Sequence, residues 1–338
     1  MDARNAGRHS PVNRGIEPTD TEERTVSLES SSTLQNQGIS EPYFRFRTVS
    51  VKHLCELQHH IDILRRDGLL SNNETFRSYI DGKRFAVPES FPDACFVIIM
   101  AVFAPLALVG FHYKGKRFEL MLPPNYYDDG ISQEQLQNMV SNRIIREQGH
   151  RIERASRNLL VKTLAARSGL GKYGRNNLCY VDGMGSLLTL HAFFTDYAFE
   201  HDDWTDMRMM DACKKCRICM KECPNGCITE QKFVINVDKC LPLYNEVEGQ
   251  FPEWMPASAH NALMGCMRCQ LKCPANRDAL KSSVRFEDIT EEETAAILEG
   301  TVDERLLRSL SEKLRGFSPT TSLGEFPVLT RNLRALIM

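Results

Sequence analysis

Residues 213–227 read CKKCRICMKECPNGC and place five cysteines within fifteen positions. Such a cluster favours metal ligands over disulfides, because disulfide scaffolds are typical of small secreted domains that lack a sufficient core. This chain has 338 residues, 12 cysteines and 42% hydrophobic residues, enough to bury a core. No apolar run follows a basic start at its beginning, so we see no secretory signal peptide. We therefore expect a cytoplasmic protein whose clustered cysteines bind metal.

The first four cysteines and the following proline fit the spacing C-x2-C-x2-C-x3-C-P. This is the signature of bacterial ferredoxins, in which the fourth cysteine ligates the other of two clusters. A second, shorter set ends in Cys273-Pro274, and Cys240 lies alone between the sets. If each cluster likewise takes cysteines from both sets, the sequence predicts two [4Fe-4S] sites. The first would take Cys213, Cys216, Cys219 and Cys273. The second would take Cys223, Cys240, Cys266 and Cys269.

Structural zinc is the alternative for these cysteines, since paired C-x2-C motifs also build four-thiolate zinc sites. The C-x2-C-x2-C triplet and the repeated Cys-Pro favour clusters. Cysteines outside the two predicted sites are interpreted as small buried hydrophobes: Cys55, Cys95 and Cys179. We expect the remaining one, Cys227, to pack behind the first cluster.

The composition divides the chain into four parts. Residues 1–40 are polar without sustained periodicity, which predicts a disordered tail. Residues 41–205 mix strand-like and helical segments, and residues 206–285 hold the cysteine motifs with few long periodic segments. Residues 286–338 return to helical patterns. The predicted fold class is an α/β (α+β) N-terminal domain, a ferredoxin-like double [4Fe-4S] cluster module and a helical C-terminal extension.

Three local patterns organise the first large part. The most apolar stretch, 95–111, is shorter than the about 20 residues of a membrane-spanning helix and is broken by Pro105. It predicts two buried strands joined by a turn, and no membrane association. A hairpin is predicted at Lys114-Gly115-Lys116. Residues 131–152 have a helical pattern.

The charge balance gives little reason to expect a polyanionic partner. Lysine and arginine total 42 against 44 aspartate and glutamate, for a net charge of −2. Basic residues between 143 and 167 could meet phosphate, or simply form a solvated helix face. No aromatic residues are interleaved there, so tRNA is not an expected partner. Basic residues around the first motif could steer flavodoxin or ferredoxin as an acidic electron donor, or be ordinary surface: Lys214, Lys215, Arg217 and Lys221.

A glycine-rich segment suggests a binding site in the α/β part. The order LAARSGLGKYGRNN, then GS, then FFTD, then the cysteine motifs ending in CPANR resembles the epoxyqueuosine reductases and the reductive dehalogenases related to them. The resemblance covers roughly residues 155–280. It implies a cobalamin over the α/β domain, reduced by the clusters for chemistry on a small-molecule or corrinoid substrate. It also makes the following residues cofactor-site candidates: Gly171, Gly174, Asn176, Asn177 and Ser186. The alternative is a capped helix end and a tight turn.

One position departs from the family pattern. Ala155 stands where the resemblance implies a proton-donating aspartate, which puts epoxyqueuosine itself in doubt as the substrate. Candidate replacement acids are Glu153, Tyr126 and Tyr127, although Glu153 between two arginines fits a helix surface better. We expect an iron-sulfur oxidoreductase that passes electrons through two [4Fe-4S] clusters to a corrinoid or substrate. The alternative is a non-catalytic electron-transfer protein or a reductive activator of a corrinoid partner.

Overall fold

The computed structural model describes residues 42–156 and 158–338, so the tail predicted over 1–40 lies outside the described residues. The helices are α1 Leu54–Arg66, α2 Glu74–Asp81, α3 Gln133–Met139, α4 Val161–Arg167, α5 Ile218–Glu222, α6 Pro242–Asn245, α7 Arg268–Leu271, α8 Glu291–Glu299, α9 Glu304–Lys313 and α10 Phe326–Ile337. The strands are β1 Phe44–Ser50, β2 Phe96–Phe103, β3 Ala107–Tyr113, β4 Lys116–Leu122, β5 Ile152–Arg154, β6 Lys172–Tyr173, β7 Cys179–Tyr180, β8 Leu188–Thr195 and β9 Val284–Arg285.

Strand β2 is the centre of the α/β part. It pairs antiparallel with β1 and β8 in a sheet whose described order is β1-β2-β8-β5. Its side chains alternate between two cores, as the pleat of a strand requires. Val97, Ile99 and Ala101 pack with α1 and α4, whereas Ile98 and Met100 pack with α3. The prediction of a buried central strand is therefore confirmed.

The apolar stretch 95–111 does form two strands, but they enter different sheets. After Pro105 the chain continues as β3, which pairs with β4 and, in parallel, with β9. The predicted hairpin turn is confirmed: Tyr113 pairs with Lys116, and both Lys114 and Gly115 have positive φ, at 51° and 68°. This left-handed pair is the geometry of a tight two-residue hairpin turn.

Two helical segments differ from the sequence pattern. The helix predicted over 131–152 ends early, because α3 continues as a π-helical turn, Val140–Ile145, that closes at Arg146 with φ 61°. Residues 152–154 then extend as β5, at the edge of the first sheet. Helix α2 was not expected, although Asn73 caps it by accepting a hydrogen bond from the Phe76 amide. Among the described residues, no helix is both long and apolar enough to cross a membrane.

The C-terminal helices are confirmed, but they share a core with the β3–β4 hairpin. Leu298 of α8, Leu310 of α9 and Leu329 of α10 pack with Val109 and Leu122. Helix α10 also reaches the cysteine module. Asn332 donates hydrogen bonds from Nδ2 to the carbonyls of Asn245 and Leu263, both at 2.8 Å.

Candidate metal centres and an adjoining cavity

The structure brings the eight predicted ligands into two groups. The first group lines a small cavity and consists of Cys213, Cys216, Cys219 and Cys273. The second group lines a larger cavity and includes Cys223, Cys240, Cys266 and Cys269. Each group takes cysteines from both sequence motifs, as crossed ligands require. In the part of the chain that is described, no His, Cys, Asp or Glu side chains converge on a single-ion site.

The cysteines lie in a sheltered environment. Burial raises the pKa of the Cys219 thiol to about 11 and also raises the pKa of Cys269. Such thiols must lose their protons before they bind metal, so metal binding is coupled to proton release. The donor set, with at least four cysteines around each cavity, fits two [4Fe-4S] clusters, and the ligand assignment stays a prediction.

Arg175 links the first cysteine group to the α/β domain. Only 7% of this residue is exposed, and its guanidinium donates to the Cys213 carbonyl at 2.6 Å and to Glu230 at 2.6 Å. The bond to a carbonyl at the start of the motif fixes the loop that carries the first three cysteines. Sequence reasoning missed this residue, because its two partners lie about 40 and 55 positions away.

Asparagine side chains form hydrogen bonds within and around the second cysteine group. Asn245 follows the Cys240 segment and exchanges two hydrogen bonds with Gly265, at 2.8 and 3.1 Å. Two further amide groups reach the sulfurs themselves. Asn261 donates to Cys266 at 3.2 Å, and Asn176 donates to Cys269 at 3.5 Å. Hydrogen bonds to cluster sulfurs are one of the means by which a protein sets the reduction potential.

The position expected for Cys227 was wrong. This residue does not lie behind the first group; it lines the cavity of the second group, and its sulfur is 3.3 Å from that of Cys223. The turn over Pro224-Asn225-Gly226 brings it back, since the Gly226 amide bonds the Cys223 carbonyl and Gly226 has φ +63°.

The second cysteine group opens into a cavity of about 380 Å³. Ligand pockets usually occupy about 300–1,000 Å³, and part of this volume lies between the cysteine sulfurs. The opposite wall is apolar and comes from α1 and α2, including Leu64, Phe76 and Ile80. Sequence reasoning did not foresee this wall, because it did not foresee α2.

Lys162 is the charged side chain that the α/β domain contributes to this cavity. Its Nζ donates to the Asn177 carbonyl at 2.9 Å and lies 5.6 Å from the centre of the Tyr173 ring. Burial lowers its pKa to about 8, although Cys179 and Cys240 oppose the shift. The side chain is half-buried because it faces the cavity. The sequence showed it only as one member of a basic run.

The proposed cofactor residues do not form one open face. A Cβ at Gly171 would lie 2.5 Å from the Cys179 sulfur, so this glycine makes room for protein rather than ligand. Gly174 is packed in the same way against Tyr180. The Ser186 amide donates a hydrogen bond to Asn276 Oδ1, and Asn276 Nδ2 donates one to the Ser186 hydroxyl, both at 2.8 Å.

The other two candidates, Asn176 and Asn177, do line the large cavity. Asn176 and Ser186 bond residues of the cysteine module, whereas Gly171 and Gly174 pack within the α/β domain, so the five residues as a set do not fit a corrinoid site.

The candidate replacement acids lie in different parts of the fold. Ala155 is fully buried in the core, and residues 155–160 contain no carboxylate. Glu153 forms an ion pair with Arg151 at 2.8 Å on the edge strand. Tyr127 is buried, donates to the Pro105 carbonyl and has its pKa raised by burial to about 12.

Tyr126 is the candidate acid nearest to the second cysteine group. Its ring packs on Gly265, directly before Cys266, and its hydroxyl donates to Glu246. Tyr79, on the cavity wall, donates to the other oxygen of Glu246 at 3.3 Å. Burial raises the pKa of both Tyr126 and Glu246. These three groups form one hydrogen-bonded chain beside the cavity.

Comparison with known proteins decides between iron-sulfur clusters and zinc. A family model described as a 4Fe-4S double cluster binding domain matches residues 212–276. Epoxyqueuosine reductase from Staphylococcus aureus is 31% identical over 116 residues, which cover 34% of this chain and 29% of that protein. The Escherichia coli epoxyqueuosine reductase is 33% identical over 120 residues, which cover 35% of this chain and 30% of that protein. The chain thus matches less than a third of the length of these relatives.

Solved structures extend the likeness to the fold. Epoxyqueuosine reductase from Streptococcus thermophilus has a TM-score of 0.59 and 17% identity, and the match covers 87% of this chain and 76% of that one. An epoxyqueuosine reductase with an epoxyqueuosine-modified tRNA-Tyr stem loop has a TM-score of 0.60 and 18% identity, with coverages of 87% and 76%. These matches confirm the predicted fold class. Residues 212–276 thus match a 4Fe-4S double cluster binding domain, and the chain resembles the epoxyqueuosine reductases in sequence over about a third of its length and in fold over most of it.

Proposed function

We propose that this protein is a cytoplasmic iron-sulfur reductase that delivers electrons to a small, largely apolar acceptor in the cavity beside the second cysteine group. One observation carries the proposal: the second cysteine group, Lys162 and the apolar wall from α1 and α2 line the same cavity. When bound, two [4Fe-4S] clusters supply one-electron transfer from a donor at the first group to an acceptor at the second.

The chain's own residues would bind and orient the acceptor. Leu64, Phe76 and Ile80 would cover its apolar part and exclude water, which strengthens every electrostatic interaction in the cavity. Lys162 would hold a proton at Nζ, facing the acceptor. A pKa of about 8 keeps most of these amines protonated at pH 7 while leaving the proton transferable. The lysine would thus serve the role for which Ala155 offers no acid.

A tRNA substrate of the kind bound by the solved relative is not favoured. Two arginines near the α1–α2 wall are paired with two carboxylates: Arg65 with Asp62 at 3.8 Å and Asp81 at 2.9 Å, and Arg77 with Asp81 at 3.2 Å. Neutralised arginines contribute little to a phosphate-binding surface, whose affinity depends on unpaired positive charge. We therefore propose a small molecule, rather than epoxyqueuosine in tRNA, as the acceptor.

There are two alternatives to a reductase with a small acceptor. A corrinoid acceptor follows from the family resemblance, but three of the five residues matched to it, Gly171, Gly174 and Ser186, are used in internal contacts, so we derive no step through it. A non-catalytic electron carrier, perhaps acting as a reductive activator of a corrinoid protein, is favoured by the loss of the family acid at Ala155. The cavity and Lys162 favour the enzyme, because a carrier has no need of a binding cavity for a small molecule.

Anaerobic reconstitution of the full chain tests the metal assignment first. We expect about eight iron and eight sulfide per chain, as two cubane clusters require. Hydroxocobalamin is then added to the reduced protein, which is desalted. Stoichiometric retention with an altered corrinoid spectrum would contradict the small-acceptor proposal. No retention leaves the small acceptor and the carrier.

A cavity-filling variant separates those two. Leu64→Trp should slow reoxidation of the reduced protein by menadione, a small apolar quinone, at least tenfold, because the indole would occupy the acceptor space. Leu323→Trp is the matched control, since Leu323 is 59% exposed and lies outside this cavity. Equal reoxidation rates in both variants would show that electrons leave elsewhere, as expected of a carrier.

A further inference from the structure

The second cysteine group contains one sulfur more than a cubane cluster needs. Cys227 lines the same cavity as Cys223, Cys240, Cys266 and Cys269, and only 3% of the residue is exposed. Its thiol is within hydrogen-bond distance of the Cys223 sulfur, at 3.3 Å. By contrast, the cavity of the first group is lined by four cysteines.

We propose that Cys227 is an alternative ligand of the second cluster, which takes the iron of Cys223 when that residue is displaced or lost. The inference rests on the proposed pair of [4Fe-4S] clusters. In the exchange, the bond between iron and the Cys223 sulfur breaks and a bond to the Cys227 sulfur forms. The Cys227 proton passes to the released Cys223 thiolate, or to water where Cys223 has been replaced. No electron is gained or lost, so the exchange needs no oxidant or reductant.

The backbone explains why Cys227 can reach the position of Cys223. The Gly226 amide donates to the Cys223 carbonyl at 3.1 Å, which closes a turn over the three intervening residues. Gly226 has φ +63°, a value that side-chain-bearing residues rarely adopt. The Cys227 carbonyl accepts from the Asn236 amide at 2.9 Å, so the turn is anchored on its far side as well. Two sulfurs are therefore presented from one fixed turn.

A buried cysteine can also be a small hydrophobe without ligand function. The contacts of Cys227 argue for more than packing, because its sulfur contacts that of Cys223 and lines the same cavity as the other three predicted ligands. An alternative ligand of this kind would let the second cluster change one iron's ligand without being lost. That property suits a cluster beside an acceptor cavity, where exchange of one ligand alters the potential.

Iron content and Mössbauer spectra of the reconstituted full chain test the proposal. Wild-type protein should contain about eight iron in two [4Fe-4S] clusters. Cys227→Ala should retain both clusters, because the four other cysteines remain. Cys223→Ala should also retain both, with altered spectroscopic parameters at one iron. The double variant Cys223→Ala/Cys227→Ala should lose the second cluster or convert it to [3Fe-4S].

Cys219→Ala is the matched control, since the first group has no spare sulfur and should lose its [4Fe-4S] cluster through a single change. If Cys223→Ala loses the second cluster as fully as the double variant does, the proposal is overturned. Retention in the double variant would also overturn it, because an external ligand would then suffice. Cys223→Val gives the same comparison if the alanine variant does not fold, since neither side chain can ligate iron. Wild-type protein with four or fewer iron would instead refute the two-cluster assignment itself.

Discussion

Asn176 donates a hydrogen bond from its side-chain amide to the Cys269 sulfur at 3.5 Å, and so connects the glycine-rich turn of the α/β domain to the second cysteine group. The same amide donates to the Tyr180 hydroxyl at 2.9 Å. The neighbouring Arg175 binds the first group through the Cys213 carbonyl. Two successive residues therefore contact both candidate centres. The turn that resembled a cofactor-binding loop acts in this structure as the junction between the two parts of the molecule.

Replacing Asn176 with leucine should lower the reduction potential of the second cluster. An amide directed at a ligand sulfur stabilises the extra negative charge of the reduced state, so its loss favours the oxidised state. A hydrogen bond contributing about 1 kcal/mol corresponds to about 40 mV for one electron. Redox titration followed by electron paramagnetic resonance would measure the shift. The first cluster is the internal control, and an equal shift at both clusters would indicate a general structural change instead.

Lys162→Met should reduce the affinity of the cavity for anionic apolar molecules about tenfold, since the positive charge is lost in a shielded site. In the wild type, the burial-lowered pKa of about 8 means that Lys162 is charged below this pH and neutral above it. Inhibition of menadione-dependent reoxidation by anthraquinone-2-sulfonate should therefore weaken as pH rises through about 8. The methionine variant should show weak inhibition at every pH. A pH dependence that persists in this variant would assign the titration to another group.

Lys215 and Lys221 are predicted to accelerate reduction by an acidic donor protein. Both are exposed around the first motif, whereas Lys214 is paired with Asp211 at 2.7 Å and Arg217 with Glu230. Lys215→Glu/Lys221→Glu should slow reduction by flavodoxin about tenfold at low salt, because steering depends on complementary charge. Stopped-flow kinetics at several salt concentrations would measure it. Lys116→Glu, on the exposed hairpin turn, is the charge-matched control, and an equal effect there would argue against a local docking surface.

Local patterns were sufficient for some elements and insufficient for others. The buried strand from Phe96 to Phe103 and the hairpin at Lys114-Gly115 follow from short-range rules of burial and turn geometry. The two cysteine groups follow from motif spacing, because crossed ligation is a property of the spacing itself. The roles of Arg175 and Asn176 depend on partners distant in the chain, which no local period encodes.

The cavity wall illustrates the same limit. Helix α2 has no fully buried residue, so its apolar side chains alone are a weak indication of a helix in the sequence. They become meaningful only when Phe76 and Ile80 face the second cysteine group across the cavity. Cys227 was placed wrongly for a related reason: a turn of three residues reverses its direction, and the motif spacing says nothing about a fifth sulfur.

Asn332 should control the stability of the second cluster from the C-terminal helix. Only 2% of this residue is exposed, and it donates hydrogen bonds to the carbonyls of Asn245 and Leu263, both in the segment between Cys240 and Cys266. Asn332→Leu keeps the size of the side chain but leaves two buried carbonyls without a donor, at a cost of about 2–4 kcal/mol. Iron release to a chelator should therefore accelerate for the second cluster and remain unchanged for the first.

Thr330→Val is the matched control for Asn332→Leu. Thr330 lies on the same helix and donates to the Ile297 carbonyl at 2.8 Å, which belongs to α8 rather than to the cysteine module. Both substitutions should lower the thermal stability of the C-terminal helices, but only Asn332→Leu should release iron faster. Equal release from the two variants would mean that the helices stabilise the clusters through the shared core alone. Faster release in Asn332→Leu would instead assign the effect to the two carbonyls, since the core side chains are the same in both proteins.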